Sequence, residues 1–255
     1  MKVVIVGSGN AATVLTEMIQ KGGHEIVQIV SRNAAHAKAL ALKYGVEGIV
    51  LTEPEFAYAD IYIIALNDAA LESIEKFKGL RNKFVVHTAG SVSKDVLKNL
   101  SSEYGVLYPL QSLSNAADEI PEVPFLIEGN SEETARKLIE FARTLSAKVI
   151  PVTESERLHY HVAAVFAGNF TNHLYAIAEN FCDKERIDFK NLLPMIKGIT
   201  SRLDNNSPFR VQTGPAIRDD IFTINRHLQS LSPHPDIKYL YLKLTESILK
   251  FHGKR

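Results

Sequence analysis

The run Val3-Val-Ile-Val-Gly7-Ser-Gly9-Asn-Ala-Ala12 restricts the fold more than any other stretch of the chain. Four β-branched apolar residues make a strand covered on both faces, and a glycine pair follows with no spacer. Gly7 permits a tight turn, Gly9 lets the backbone approach a ligand, and Ala12 stands where a small residue allows a helix to pack closely on the strand. Leu15, Met18 and Ile19 recur at helical spacing over Ala11–Lys21. The helix they predict aims unpaired N–H groups and a partial positive charge back at the bend. A bend of that kind holds a diphosphate, so the first βαβ unit reads as a dinucleotide-binding, Rossmann-type unit.

The rest of the first half continues the alternation. Val3–Val6, Glu25–Val30, Ile61–Ala65, Phe84–His87 and Val106–Tyr108 are predicted strands, and Ala34–Tyr44 is a predicted helix ending before Gly45. Short connections between them imply right-handed crossovers and a doubly wound parallel sheet. Pro124–Glu128, Glu132–Leu145 and Lys148–Pro151 supply a closing strand–helix–strand unit. Beyond Val152 strand signals stop. Glu154–Cys182 reads as one long helix, followed by helices over Phe189–Arg202, Asp219–Leu231 and Asp236–Phe251, with Asp204–Pro215 as a loop. The expected fold class is therefore α/β, a Rossmann domain over residues 1–152 and an all-helical domain over 153–255.

The end of the second strand bears on which dinucleotide is held. NAD-binding versions place an acid there to accept the ribose 2′-OH. This chain has Val30-Ser31-Arg32-Asn33 instead. Arg32 can pair with a 2′-phosphate and Ser31 can add a hydroxyl donor, which points to NADP(H). Gly7, Ser8, Gly9, Asn10, Ala11, Ser31, Arg32, Leu66 and Asn67 are the expected cofactor-binding residues. The competing reading leaves Arg32 as a solvated surface charge.

A second ligand should meet the residues that follow each strand, since open α/β sheets bind outside the carboxyl ends of their strands. Those residues include Asn67, then His87 and Ser91, then Gln111 and Ser112. The long helix adds an uncharged face with His161, Val165, Gly168, Asn169 and Asn172, opposite an apolar face with Ala163, Phe166, Phe170, Leu174, Ile177 and Phe181. The uncharged face suits a ligand or a dimer contact equally. His87, His161 and Asn169 are the candidate catalytic residues; Asn67, Ser91, Gln111, Ser112, Asn172 and Arg218 are the candidate substrate-binding ones. His161 can equally be a satisfied buried histidine, and Arg218 an intersubunit partner, while Asp219 or Asp220 caps a helix. His159-x-His161 diverges on a helix, so no metal site is expected.

G-S-G-N-A-A, H-T-A-G-S, P-L-Q-S-L-S, H-V-A-A-V-F-A-G-N-F and T-G-P-A-I-R-D-D occur in that order. The chain thereby resembles a bacterial family of Rossmann-like oxidoreductases with a C-terminal helical domain of unknown function, numbered 2520. The layout is similar to deazaflavin-dependent NADP oxidoreductases, pyrroline-5-carboxylate reductase and the 6-phosphogluconate dehydrogenase superfamily. The resemblance implies a homodimer through the helical domain and an active site between domains. It also exposes a departure. The β-hydroxyacid dehydrogenases carry Lys-x-x-x-Asn on the corresponding helix, and if Asn169 matches that asparagine, Val165 replaces the proton-handling lysine. Either His87 or His161 then supplies the proton, or the substrate is an imine that arrives protonated.

The function expected is NADP(H)-dependent hydride transfer to or from a small carbonyl or imine. The alternatives are a non-catalytic NADP(H)-binding sensor or interaction protein, and a deazaflavin-coupled reductase. Lys+Arg and Asp+Glu both total 29, so no net field draws nucleic acid or an anionic membrane. Leu158–Ala178 lacks Asp, Glu, Lys and Arg, but its His and Asn side chains are costly in hydrocarbon. The single Cys182 and an N-terminus unlike a signal peptide favour a cytoplasmic location.

Overall fold

The computed structural model describes residues 1–50, 55–74, 78–114 and 120–253. They form two compact units, residues 1–170 and 171–255.

The first unit is a doubly wound α/β domain. Its strands are β1 (Lys2–Val6), β2 (Glu25–Ser31), β3 (Glu47–Val50), β4 (Ile61–Ile64), β5 (Phe84–His87), β6 (Glu103–Pro109), β7 (Phe125–Gly129) and β8 (Val149–Pro151). They make one sheet in the order β3-β2-β1-β4-β5-β6-β7-β8. β7 pairs antiparallel with β6, and every other pairing is parallel. The order reverses between β1 and β4, which opens a crevice at their carboxyl ends. The continuous apolar runs have their cause here: Val3 and Ile5 pack on one face with Leu15, Ile19 and Phe141. Val4 and Val6 pack on the other with Ile64, Leu71 and Leu97.

Helices α1 (Asn10–Lys21), α2 (Ala34–Tyr44), α3 (Asp68–Leu71) and α4 (Glu132–Leu145) connect these strands. β3 is absent from the sequence expectation because a four-residue edge strand containing Gly48 offers little pattern to detect. The short helix α3 is likewise absent from it, while the other strands and α1, α2 and α4 fall close to where periodicity places them.

The long helix is in fact α5 (Glu154–Ala164), a π-helical segment over Val165–Phe170, and α6 (Thr171–Lys184). A π segment widens the turn, so a projection at a constant 100° per residue fails beyond Ala164. Phe166 and Phe170, expected on a covered apolar face, are 65% and 51% exposed and pack edge to face on one another at 5.2 Å. α5 belongs to the α/β unit, to which it is bonded by Arg157 and His161. The expected domain edge at residue 152 lies just ahead of α5, and the compact units divide within the helix itself.

The second unit comprises α6, α7 (Leu193–Ser201), α8 (Ile221–Ser230) and α9 (Pro235–Phe251). Asp220 caps α8 by accepting from Thr223 N–H at 3.0 Å, and Asp219 takes a left-handed backbone at φ 53°. Few of its apolar side chains are buried: Cys182, Ala216, Ile224, Leu231 and Leu249. Among the described residues no helix is long and apolar enough to cross a membrane.

Candidate active site

Two cavities lie on the carboxyl side of the sheet in the α/β unit. The first, of about 590 Å³, is lined by Gly7, Ser8, Gly9, Ser31, Arg32, Asn33, His36, Ala65, Leu66 and Asn67. Gly7 adopts φ +137° and its N–H donates to Val30 O at 2.7 Å; a Cβ there would strike the Ala65 carbonyl. Gly9 faces open space, with nothing within 4 Å of an added Cβ. It is also the N-cap of α1 and offers no side-chain cap. The first N–H groups of α1 are therefore left for a ligand, and no acid in the first turn of α1 repels an anion. These features fit the diphosphate of a dinucleotide.

At the rim of this cavity Ser8 and Ser31 share a hydrogen bond of 2.6 Å between their hydroxyls. Arg32 is exposed. Asn33 caps α2, its Oδ1 accepting from His36 N–H at 3.1 Å. His36, unremarked in the sequence, stands on the same wall as Arg32. Asn67 accepts from Ala70 N–H at 3.0 Å and so caps α3 while lining the cavity.

The second cavity, of about 570 Å³, gathers the end of β6 and the α5–π region: Tyr108, Leu110, Gln111, Ser112, Tyr160, His161, Ala163, Ala164, Val165, Ala167, Gly168 and Asn169. No Lys, Arg, Asp or Glu stands among these lining residues. Tyr108, nearly buried at the end of β6, brings its hydroxyl to 2.9 Å from His161 Nδ1, with the rings edge to face at 5.7 Å. Burial, the larger influence, raises the Tyr108 phenol above its usual range, and the Arg157 guanidinium opposes that rise.

Residues 2–91 match the NADP oxidoreductase, coenzyme F420-dependent family, and residues 123–248 match the domain of unknown function 2520. A Bacteroides fragilis protein described as a "putative NADP oxidoreductase" is 36% identical over 99% of this chain and 98% of its own, with a TM-score of 0.88. The chain belongs to this oxidoreductase-like family. More distant members of the same fold include 1-pyrroline-5-carboxylate reductase from Streptococcus pyogenes, 14% identical over 97% of this chain and 98% of its own at TM-score 0.62. A reductive aminase from Aspergillus terreus, in complex with NADPH and ethyl-5-oxohexanoate, is 17% identical over 99% of this chain and 91% of its own at TM-score 0.61. No functionally curated protein matches the chain.

In this family member the expected site residues separate into groups. Gly7, Ser8, Gly9, Ser31, Arg32, Leu66 and Asn67 line the first cavity, with Asn10 and Ala11 beginning α1 beside it. Gln111, Ser112, His161 and Asn169 line the second, as does Val165. His87 lines neither. It is fully buried at the end of β5, its Nδ1 accepting from Ala89 N–H at 3.2 Å and its Nε2 lying 3.3 Å from Ser93 O. Burial and then the Arg157 charge lower its pKa to about 4, so the ring is neutral with both nitrogens engaged. Ser91 bonds to the Asp68 carboxylate and lines neither cavity. Asn172 and Arg218 are exposed in the helical unit.

Sequence reasoning missed Tyr108 as a functional group, and Arg157 altogether. Arg157 is fully buried. Its guanidinium contacts Glu128 Oε2 at 3.2 Å and donates to the carbonyls of Ala89 at 3.1 Å and Gly90 at 2.7 Å. Lys94 reaches the other Glu128 oxygen at 2.8 Å. Tyr108, standing before Pro109 where a strand meets the cleft, carried a signal; an arginine within Glu-Ser-Glu-Arg reads as an exposed helix start and carried none.

Proposed function

We propose that the protein is an NADP(H)-dependent oxidoreductase in which Tyr108 and His161 handle the proton for a small carbonyl or imine. The carrying observation is the 2.9 Å bond between the Tyr108 hydroxyl and His161 Nδ1 at the wall of an otherwise uncharged cavity. Bound nicotinamide dinucleotide supplies or accepts the hydride. Every other task falls to the chain. The α1 N–H groups hold the diphosphate, and Ser31 with Arg32 favours a 2′-phosphate over a bare hydroxyl. In the reductive direction the Tyr108 O–H gives its proton to the developing alkoxide or amine. His161 in its Nδ1–H form restores a proton to the phenolate oxygen, takes one up at Nε2 from solvent, and returns to the Nδ1–H tautomer by proton exchange with solvent. Gln111, Ser112 and Asn169 offer neutral hydrogen-bonding groups to orient the substrate.

Val165 supports a competing reading as a non-catalytic NADP(H)-binding sensor or interaction protein, since valine transfers no proton. Consumption of NADPH across a panel of carbonyl and imine compounds separates the two. Turnover that falls at least about 100-fold in Tyr108→Phe and His161→Gln, with NADPH affinity retained, supports the enzyme. Tight binding with no turnover across the panel supports the sensor. Homodimer formation through the helical unit and a cytoplasmic location belong to the same proposal. Exposed Phe209, Phe222, Leu242 and Phe251 support the dimer, and a light-scattering mass of 28.3 kDa would refute it.

A further inference from the structure

Arg157 and His161 lie one helical turn apart on the same face of α5, and both reach the loop after β5. The Arg157 guanidinium binds the carbonyls of Ala89 and Gly90. Gly90 in turn sits against the candidate proton-handling pair: a Cβ built on it would come within 2.6 Å of His161 Nδ1 and 2.9 Å of Tyr108 Cζ. A Cβ at this position would force the two rings to shift. The loop is thus gripped on one side by Arg157 and pressed on the other against Tyr108 and His161. We propose that Arg157, with Glu128 behind it, is a positioning residue that fixes the Gly90 backbone and thereby sets the Tyr108–His161 hydrogen bond. The consequence for turnover rests on the proton-handling reading above; the consequence for geometry does not.

The energetics favour positioning over mere stabilisation. A buried ion pair contributes little net stability, because desolvation offsets its attraction, while removing one partner alone is costly. Lys94, Glu128 and Arg157 join β7, α5 and the β5 loop, and apolar packing in place of such an ion pair is often neutral for stability. What apolar side chains cannot do is donate at once to two carbonyl oxygens and a carboxylate, as this guanidinium does. Arg157 and His161 are the titratable groups that face the Tyr108 phenol, from α5; the guanidinium favours its ionised form. Misplacement of a reacting group by about 1 Å can cost roughly 100-fold in rate.

Three variants of the full chain test this. Arg157→Lys keeps the charge and loses the fork; Arg157→Met with Glu128→Gln removes both charges and avoids a stranded carboxylate. Gly90→Ala displaces the rings while leaving Arg157 intact. Tyr108 is titrated by ¹³Cζ-tyrosine NMR, its signal assigned by absence in Tyr108→Phe, so the readout needs no activity. In the double variant, loss of the guanidinium raises the Tyr108 midpoint above that of the wild type. Arg157→Lys and Gly90→Ala lower kcat at least about tenfold with KM for NADPH unchanged. A folded double variant or an Arg157→Lys variant with wild-type kcat overturns the proposal. If the double variant does not fold, Arg157→Lys and Gly90→Ala decide through kcat. If the wild type turns over no substrate, the functional reading fails, while a chemical shift of Tyr108 ¹³Cζ that is the same in Arg157→Lys, Gly90→Ala and wild type sinks the positioning role separately.

Discussion

The two cavities of the α/β unit are alike in size, about 590 and 570 Å³, and opposite in construction. The first is made mostly of backbone. Its grip on an anion comes from the start of α1, and its shape from a turn in which Gly7 passes against Ala65. The second is made of side chains drawn from β6 and the α5–π region, and its principal contact joins Tyr108 to His161 across 53 residues of sequence. A backbone site depends on a few local dihedral angles; a side-chain site depends on the packing of everything between its members. The two should therefore fail differently when altered.

The largest difference is expected within the first cavity itself. Gly7→Ala forces a side chain into the Ala65 carbonyl at φ +137°, and should destabilise the fold by more than about 2 kcal/mol. Gly9→Val enters open space, so it should leave the melting temperature within a few degrees of wild type. It should nonetheless weaken NADPH binding at least about 100-fold, by filling the space a diphosphate needs. Thermal melts beside titration calorimetry check both. Gly9→Val protein that binds NADPH normally would break the assignment of this cavity.

The same contrast explains what the sequence discloses. Gly7 to Ala12 lie together, and their conformational demands are properties of the residues themselves, so strand, turn, helix and ligand class are all legible. The parallel sheet is legible for a similar reason, since Val3–Val6 and Ile61–Ile64 are apolar on both faces. Gln111, Ser112, His161 and Asn169 could be named as candidates, but only the fold brings them to one cavity. Arg157 was illegible because its partners, Glu128 and the Ala89 and Gly90 carbonyls, reach it only through tertiary packing. The π segment escaped because a one-residue change of helical register leaves no mark on composition. His87 had the residue type of a catalyst and the location of a core residue.

That location makes His87 a test of the boundary between site and scaffold. Its folded pKa is about 4, against 6.5 when free. Above pH 6.5 the ring is neutral in both states and contributes no pH dependence. As pH falls through 6.5 the unfolded chain takes up a proton that the folded chain refuses, and stability declines until the folded ring also protonates near pH 4. Between pH 7 and 5 the loss is on the order of 2 kcal/mol. Urea unfolding should show it in the wild type, and His87→Gln should flatten that part of the slope whatever its absolute stability. An unchanged slope would mean that the folded ring titrates near its free value, and would return His87 to the list of candidate proton donors.

The smallest effect expected concerns Arg32, where the first cavity departs from pure backbone recognition. Backbone N–H groups hold a diphosphate without distinguishing NADP(H) from NAD(H), so discrimination has to come from side chains at the end of β2. Ser31 is buried and already bonded to Ser8, whereas Arg32 is exposed and adjustable. A charge-assisted pair that includes a guanidinium contributes roughly 1.5–3 kcal/mol when made, and solvent exposure reduces it. Wild-type protein should accordingly prefer NADP(H) by at least about tenfold, or ~1.4 kcal/mol, and Arg32→Ala should remove most of that preference with little change in NAD(H) affinity. Because His36 lines the same wall, a residual preference in Arg32→Ala should weaken further in the double variant Arg32→Ala, His36→Ala. Equal wild-type affinities by calorimetry would show that the cavity reads the diphosphate alone, and the contrast between a backbone site and a side-chain site would then be complete.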